Sequence, residues 1–227
     1  MKKVIIKYKW IILIGIIVLL SLIVIITISN NKNNNFSFTN ISDAEKFKKE
    51  YEKLNNNITK SGQKYPKVSI PSDNIIKYAT IDDVLKIFED NQSGVIYFGY
   101  PKCLYCRSAV EVLLSAADST ELDTIYYLDV EDTSNSRYKD LYSILGNELT
   151  IVENGKQKIE EPLVIFVGSG NIFNYNIGTL PSQEDPFIKL DESQKEGLKG
   201  IYSNGINDVL FALSLSGKTE KNDYAIE

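Results

Sequence analysis

The chain has 227 residues, room for one ordinary domain and an appendage, and its 43% hydrophobic and 24% charged residues suit a globular protein. Its formal net charge is -5, but four of its 25 bases (Lys2, Lys3, Lys7, Lys9) precede residue 30 with no acid among them, leaving 21 bases against 30 acids, or -9, beyond. An acidic body argues against nucleic acid as a partner, and the lack of histidine excludes Ser-His-Asp catalysis, Cys-His catalysis and His-ligated metals.

Trp10 to Ser29 reads WIILIGIIVLLSLIVIITIS, an uncharged run of about 20 residues, the length that crosses roughly 30 Å of hydrocarbon as a helix. The preceding lysines place the N-terminus in the cytoplasm and the rest outside, as a single-pass protein with Trp10 at the interface. A cleaved signal peptide is the alternative, since Thr27 and Ser29 resemble a small-x-small site. The run exceeds the usual h-region of about 7–15 residues, which favours an uncleaved anchor. No cysteine follows it, so lipoprotein attachment is not expected. Either way the body lies where disulfides persist.

Residues 1–29 are thus read as lysines and anchor, 30–73 as a linker with an accessory helix, and 74–227 as the main domain. Asn30 to Asn40 is polar and asparagine-rich, with too little apolar surface to fold. Ser42 and Glu45 form a capping box for a helix that carries Ala44, Phe47, Tyr51 and Leu54 on one stripe, packed on the domain or serving as a stalk. Gly62, Pro66 and Pro71 mark residues 55–74 as a loop.

In the main domain, Ile75–Ala79 reads as a strand. Thr80 caps a helix with Ile81, Val84, Leu85 and Phe88 on one face. Gly94–Tyr100 is a nearly continuous apolar run, as a strand buried on both faces should be. A helix from Cys103 to Ala117, a strand Thr124–Val130 and a helix from about Ser136 to Leu145 follow. Leu163–Gly168 and Asn171–Gly178 form a hairpin through Ser169-Gly170. A last helix starts near Asp191 with Gln194 as its capping partner; Gly197, Gly200 and Gly205 weaken it and allow a break near Asn204-Gly205. Alternating strands and helices with a late hairpin predict an α/β protein with a mixed sheet flanked by helices.

The chemistry-bearing stretch is YFGYPKCLYCRSAVEVLL. A buried strand ends at Tyr100, Pro101 turns the chain, and Cys103 opens a helix, whose unpaired N–H groups and dipole stabilise a thiolate. Lys102 and Arg107 add positive potential, tuning the thiol pKa, provided they point inward. Cys106 lies one turn on, placed to resolve a mixed disulfide. Two cysteines cannot complete a tetrahedral zinc site within one chain, so no metal is expected, and nothing calls for a cofactor. The alternative for the pair is an inert structural disulfide, but so short a loop stabilises least.

With its CLYC motif, YPKC approach and EEPLVIFV segment, the sequence resembles the thioredoxin superfamily. It is most similar to membrane-anchored or secreted thioredoxin-like proteins of Gram-positive bacteria, including those described as bacteriocin-accessory proteins. The resemblance spans roughly residues 74–215. It implies a thioredoxin-like fold and thiol–disulfide oxidoreductase activity, with Cys103 attacking and Cys106 resolving. It also implies a cis-proline at Pro162, which with the Glu161 backbone would guide the substrate strand. Tyr105 covers the thiols or stands as a surface ring, and Glu160 and Glu161 are functional acids or a solvated edge.

Three departures bear on function. Tyr97 stands where many relatives place a buried acid under the second cysteine. Lys102 replaces a common aromatic. Glu161 precedes the proline, where a carboxylate opposes a thiolate. The expected partners are cysteine-containing secreted or surface proteins, together with a membrane thiol redox partner. A binding or immunity-type accessory without turnover is the alternative.

Overall fold

The structure, a computed structural model, describes residues 41–222. The anchor and asparagine-rich linker lie outside the described residues. Among the described residues no helix is long and apolar enough to cross a membrane.

Helix α1 (Asp43–Glu52) is followed by strand β1 (Ile76–Tyr78), helix α2 (Ile81–Glu89), strand β2 (Gly94–Gly99), helix α3 (Leu104–Asp118), strand β3 (Ile125–Asp129) and helix α4 (Tyr138–Leu145). Strands β4 (Thr150–Glu153), β5 (Lys156–Ile159), β6 (Leu163–Gly168) and β7 (Asn171–Ile177) precede helix α5 (Glu192–Asn222). The main sheet runs β1-β3-β2-β6-β7. Strands β1, β3 and β2 are mutually parallel, and β6 and β7 continue the sheet antiparallel. This is an α/β architecture with a mixed sheet flanked by helices, compatible with the fold that the resemblance implies.

The pleat sends alternate side chains to opposite faces, and two cores result. Val95 and Tyr97 of β2 join Tyr127, Phe166 and the inner faces of α1, α3 and α5. Ile96 and Phe98 point the other way, into the cluster made by α2, α4 and β6. Burying each such aliphatic or aromatic side chain contributes about 1.5–3 kcal/mol.

The caps follow the local sequence. Thr80 and Asp83 close a reciprocal capping box on α2, and Asp191 and Gln194 do the same before α5. On α1 half the expected box is seen: Ser42 accepts from the Glu45 amide, while the Glu45 carboxylate pairs with Lys49. On α2 the interior position falls to Ile87, and Phe88 is half-buried. The β6–β7 turn has positive φ at both Ser169 and Gly170 (48° and 71°), as a two-residue hairpin requires.

Two features depart from the sequence reading. The hairpin β4–β5 turns through Asn154 and Gly155 (φ 51° and 73°), the same chemistry, in a stretch to which the sequence reading assigns no element. Helix α5 runs unbroken past Gly205. A Cβ there would lie 2.4 Å from the Phe166 ring, so the glycine serves close helix–sheet packing rather than a break.

The chain between α1 and β1 is held along its length. Asn55 bonds both backbone groups of Val68, Glu52 accepts from the Ile70 amide, and Glu111 of α3 accepts from the Ser69 amide. Val68 and Ile70 are buried in the same core as Phe47 and Tyr51.

Candidate functional site

Strand β2 is buried throughout and delivers the chain to Tyr100, whose carbonyl accepts from the Cys103 amide at 3.1 Å. Cys103 is the N-cap of α3, and its Sγ accepts from the Cys106 amide at 3.1 Å. No acid occupies the first turn of α3, so nothing there offsets the positive end of the helix dipole. Cys103 and Cys106 form a disulfide, with Cα atoms 5.1 Å apart. Cys103 is 8% exposed and Cys106 is 0% exposed. An incoming sulfur therefore meets Cys103 first, while Cys106 is sealed behind it.

The two basic residues diverge. Lys102 is exposed and turns to Glu131 (Nζ–Oε1 2.5 Å), away from an inward placement. Its pKa is raised by that hydrogen bond and charge. Arg107 does point inward and is fully buried. Its guanidinium donates to the carbonyls of Pro66 (2.8 Å), Tyr51 (2.8 Å) and Pro101 (3.2 Å) and to Oδ1 of Asn55 (2.7 Å). Neutral oxygens surround it, so burial lowers its pKa and its charge is left unneutralised by direct pairing.

The peptide bond Glu161–Pro162 is cis, and the Pro162 carbonyl accepts from the Gly178 amide at 2.7 Å. The half-buried Glu161 faces Tyr100, whose phenol pKa is raised by burial first and then by the Glu161 charge and hydrogen bond. A cleft of about 140 Å³ lies here, lined by Tyr100, Val130, Glu131, Lys158 and Glu161 among others. Glu160 is exposed. The Tyr105 hydroxyl reaches the Glu184 carbonyl at 3.4 Å, tying α3 to the segment after β7. Roomier clefts of about 290 and 560 Å³ flank α3 near Glu111 and Ser115 and include neither cysteine.

Beneath the pair lies a group of tyrosines. Tyr97 is fully buried, and its hydroxyl lies 3.4 Å from the Cys106 carbonyl and 2.9 Å from the Tyr51 hydroxyl. Gly99 is what lets Tyr97 turn back: a Cβ there would sit 2.6 Å from the Tyr97 oxygen. Tyr127 stacks on Tyr97 (5.5 Å between centroids) and donates to Asp129 at 3.3 Å. The Asp129 pKa is raised, chiefly by burial. Of this set the sequence points to Tyr97 alone. Tyr51, Tyr127 and Asp129 come from other elements, and no motif marks them.

Among the described residues no cluster of cysteine and acidic side chains suits a metal. A scan against protein-family models finds no match to this sequence, and a search of the curated proteins likewise finds none.

Proposed function

We propose that this chain is a thioredoxin-like thiol–disulfide oxidoreductase, tethered to the cell membrane by its N-terminal segment and acting outside on secreted or surface proteins. The observation that carries the reading is the graded burial of the pair. Cys103 is reachable at the N-cap of α3, and Cys106, fully enclosed, accompanies it at one turn's distance. Attack requires an accessible thiolate favoured by local positive potential, and the helix terminus with the buried Arg107 supplies that potential.

In the proposed cycle Cys103 attacks a substrate sulfur and Cys106 resolves the mixed disulfide. Pro162 and the Glu161 backbone guide an extended substrate strand, and Tyr105 borders the site. Main-chain pairing of that kind tolerates varied side chains, which suits a broad set of cysteine-containing clients. A membrane thiol partner would restore the pair.

Trapping tests the reading. Cys106→Ser in the full-length chain should accumulate reducible mixed disulfides through Cys103 in cells, and Cys103→Ser should not. Equal trapping by both variants, or by neither, rejects it.

A further inference from the structure

Strand register builds the cleft beside Pro162. β2 and β6 pair antiparallel as far as Phe98 opposite Leu163. Continuing that register sets Tyr100 opposite Glu161, and both line the cleft of about 140 Å³. The Tyr100 carbonyl also accepts from the Cys103 amide, so one residue joins the cleft to the start of the cysteine helix.

The lining is amphipathic. Val130 and Ile159 are buried apolar walls, and Tyr100 adds a half-buried ring. The two nearby bases are engaged, Lys102 by Glu131 and Lys158 by Glu153, each at 2.5 Å. Glu161 has no ion pair among the described residues. Within the same residues neither its amide nor its carbonyl has a backbone partner, whereas the next carbonyl, that of Pro162, accepts from the Gly178 amide. Glu161 thus presents an open main chain and an unneutralised carboxylate side by side.

The loop after β7 adjoins the same helix start. Tyr105 ties it to α3, as does Gln183, which donates to Ser108 at 3.1 Å. Residues 179–188 contain no base and bring the exposed Glu184 and Asp185, again without an ion pair among the described residues. The surroundings of Cys103 therefore carry negative charge that the protein leaves unanswered.

We propose that Glu161 selects clients that carry a lysine or arginine about two residues from the reacting cysteine; this deepens the oxidoreductase reading and rests on it. In an extended client, residues two apart share a face and lie about 7 Å from each other. With the client main chain against Glu161 and its cysteine at Cys103, the basic side chain enters the cleft. Its methylene stem covers Val130 and Ile159, and its cationic head meets the Glu161 carboxylate. An acidic side chain at that place meets like charge in a partly desolvated cleft. Selection is then by charge rather than by sequence, which leaves the set of clients broad.

Displacement kinetics test this. Peptides with one cysteine, capped as a mixed disulfide with thionitrobenzoate, differ only in a lysine, glutamine or glutamate two residues from that cysteine. The reduced full-length chain is added in neutral detergent. The Cys103 thiolate bonds to the peptide sulfur, the capping S–S bond breaks, and thionitrobenzoate leaves with the electron pair as a coloured anion. Each rate is divided by that of mercaptoethanol with the same peptide, which removes intrinsic reactivity. The lysine-to-glutamate ratio should be about tenfold at low salt and fall as salt rises. Glu161→Gln should bring it most of the way to one, and Glu161→Lys should invert it; if the lysine variant fails to fold, the isosteric glutamine decides. A ratio near one in the wild type overturns the proposal and leaves the oxidoreductase reading intact. A preference that survives the substitutions does the same, because it then belongs to the net charge of the whole chain. No displacement from any peptide overturns both.

Discussion

Arg107 donates from Nη2 to Oδ1 of Asn55 at 2.7 Å, joining the helix that carries the cysteines to the chain leaving α1. Asn55 in turn holds Val68 by both backbone groups, at 2.8 and 2.9 Å. A single guanidinium thus ties the site to residues 51–68, a stretch that lies before the region of resemblance.

Arg107→Met should therefore cost stability well beyond a surface change. It removes a donor from the oxygens of Pro66, Tyr51 and Asn55, of which Tyr51 keeps the Leu54 amide and Asn55 keeps the Val68 amide, so that the Pro66 carbonyl loses most. At about 1–3 kcal/mol for each unsatisfied buried group, a loss on the order of 3 kcal/mol is expected after relaxation. Arg107→Lys keeps a charge but not the planar fork, and should recover part of it. Urea midpoints of the full-length variants check this. An unchanged midpoint for Arg107→Met means that the clamp is idle.

Gly205→Ala and Gly200→Ala should act in opposite directions. Alanine improves helix propensity by about 1 kcal/mol at either position. At Gly200 a Cβ meets nothing within 4 Å, so the gain should appear as higher stability. At Gly205 it meets three atoms of the Phe166 ring at 2.4–2.5 Å, and overpacking costs about 1–3 kcal/mol. Phe166→Leu should soften the Gly205→Ala penalty, since the two positions touch. Thermal unfolding of the single and double variants reads both effects. Equal shifts at the two glycines would contradict the contact.

Asp129→Asn should stabilise the protein at neutral pH. The folded-state pKa of Asp129 is raised, chiefly by burial, so the folded state binds that proton more tightly than the unfolded chain does. Its contribution is fully present below the unfolded value of about 3.9 and is lost as pH rises through the higher folded value. Asparagine keeps one oxygen to accept from the Glu131 amide, and its NH2 can donate to the Tyr127 hydroxyl oxygen in place of the bond that it received, all without the charge. Melting temperatures from pH 3 to 8 should diverge upward for the variant across that window. Parallel curves would show that Asp129 is not strained.

The sequence by itself determines the local chemistry. The helix beginning at Cys103, the capping pairs at Thr80–Asp83 and Asp191–Gln194, and the turn at Ser169-Gly170 depend on residues within a few positions of one another. The β4–β5 hairpin belongs with them in principle, through Asn154-Gly155. Its flanks are largely exposed, so no buried alternation draws attention to it. Tertiary structure alone decides the rest. Whether Lys102 or Arg107 turns inward, whether Gly205 breaks a helix or admits a ring, and whether Tyr97 has a partner depend on atoms brought from distant positions. Tyr51 and Tyr97 are 46 residues apart in sequence, and their hydroxyls meet because α1 packs over the sheet. No local pattern encodes that distance, because a phenol's partner is set by which faces the packed layers bring together.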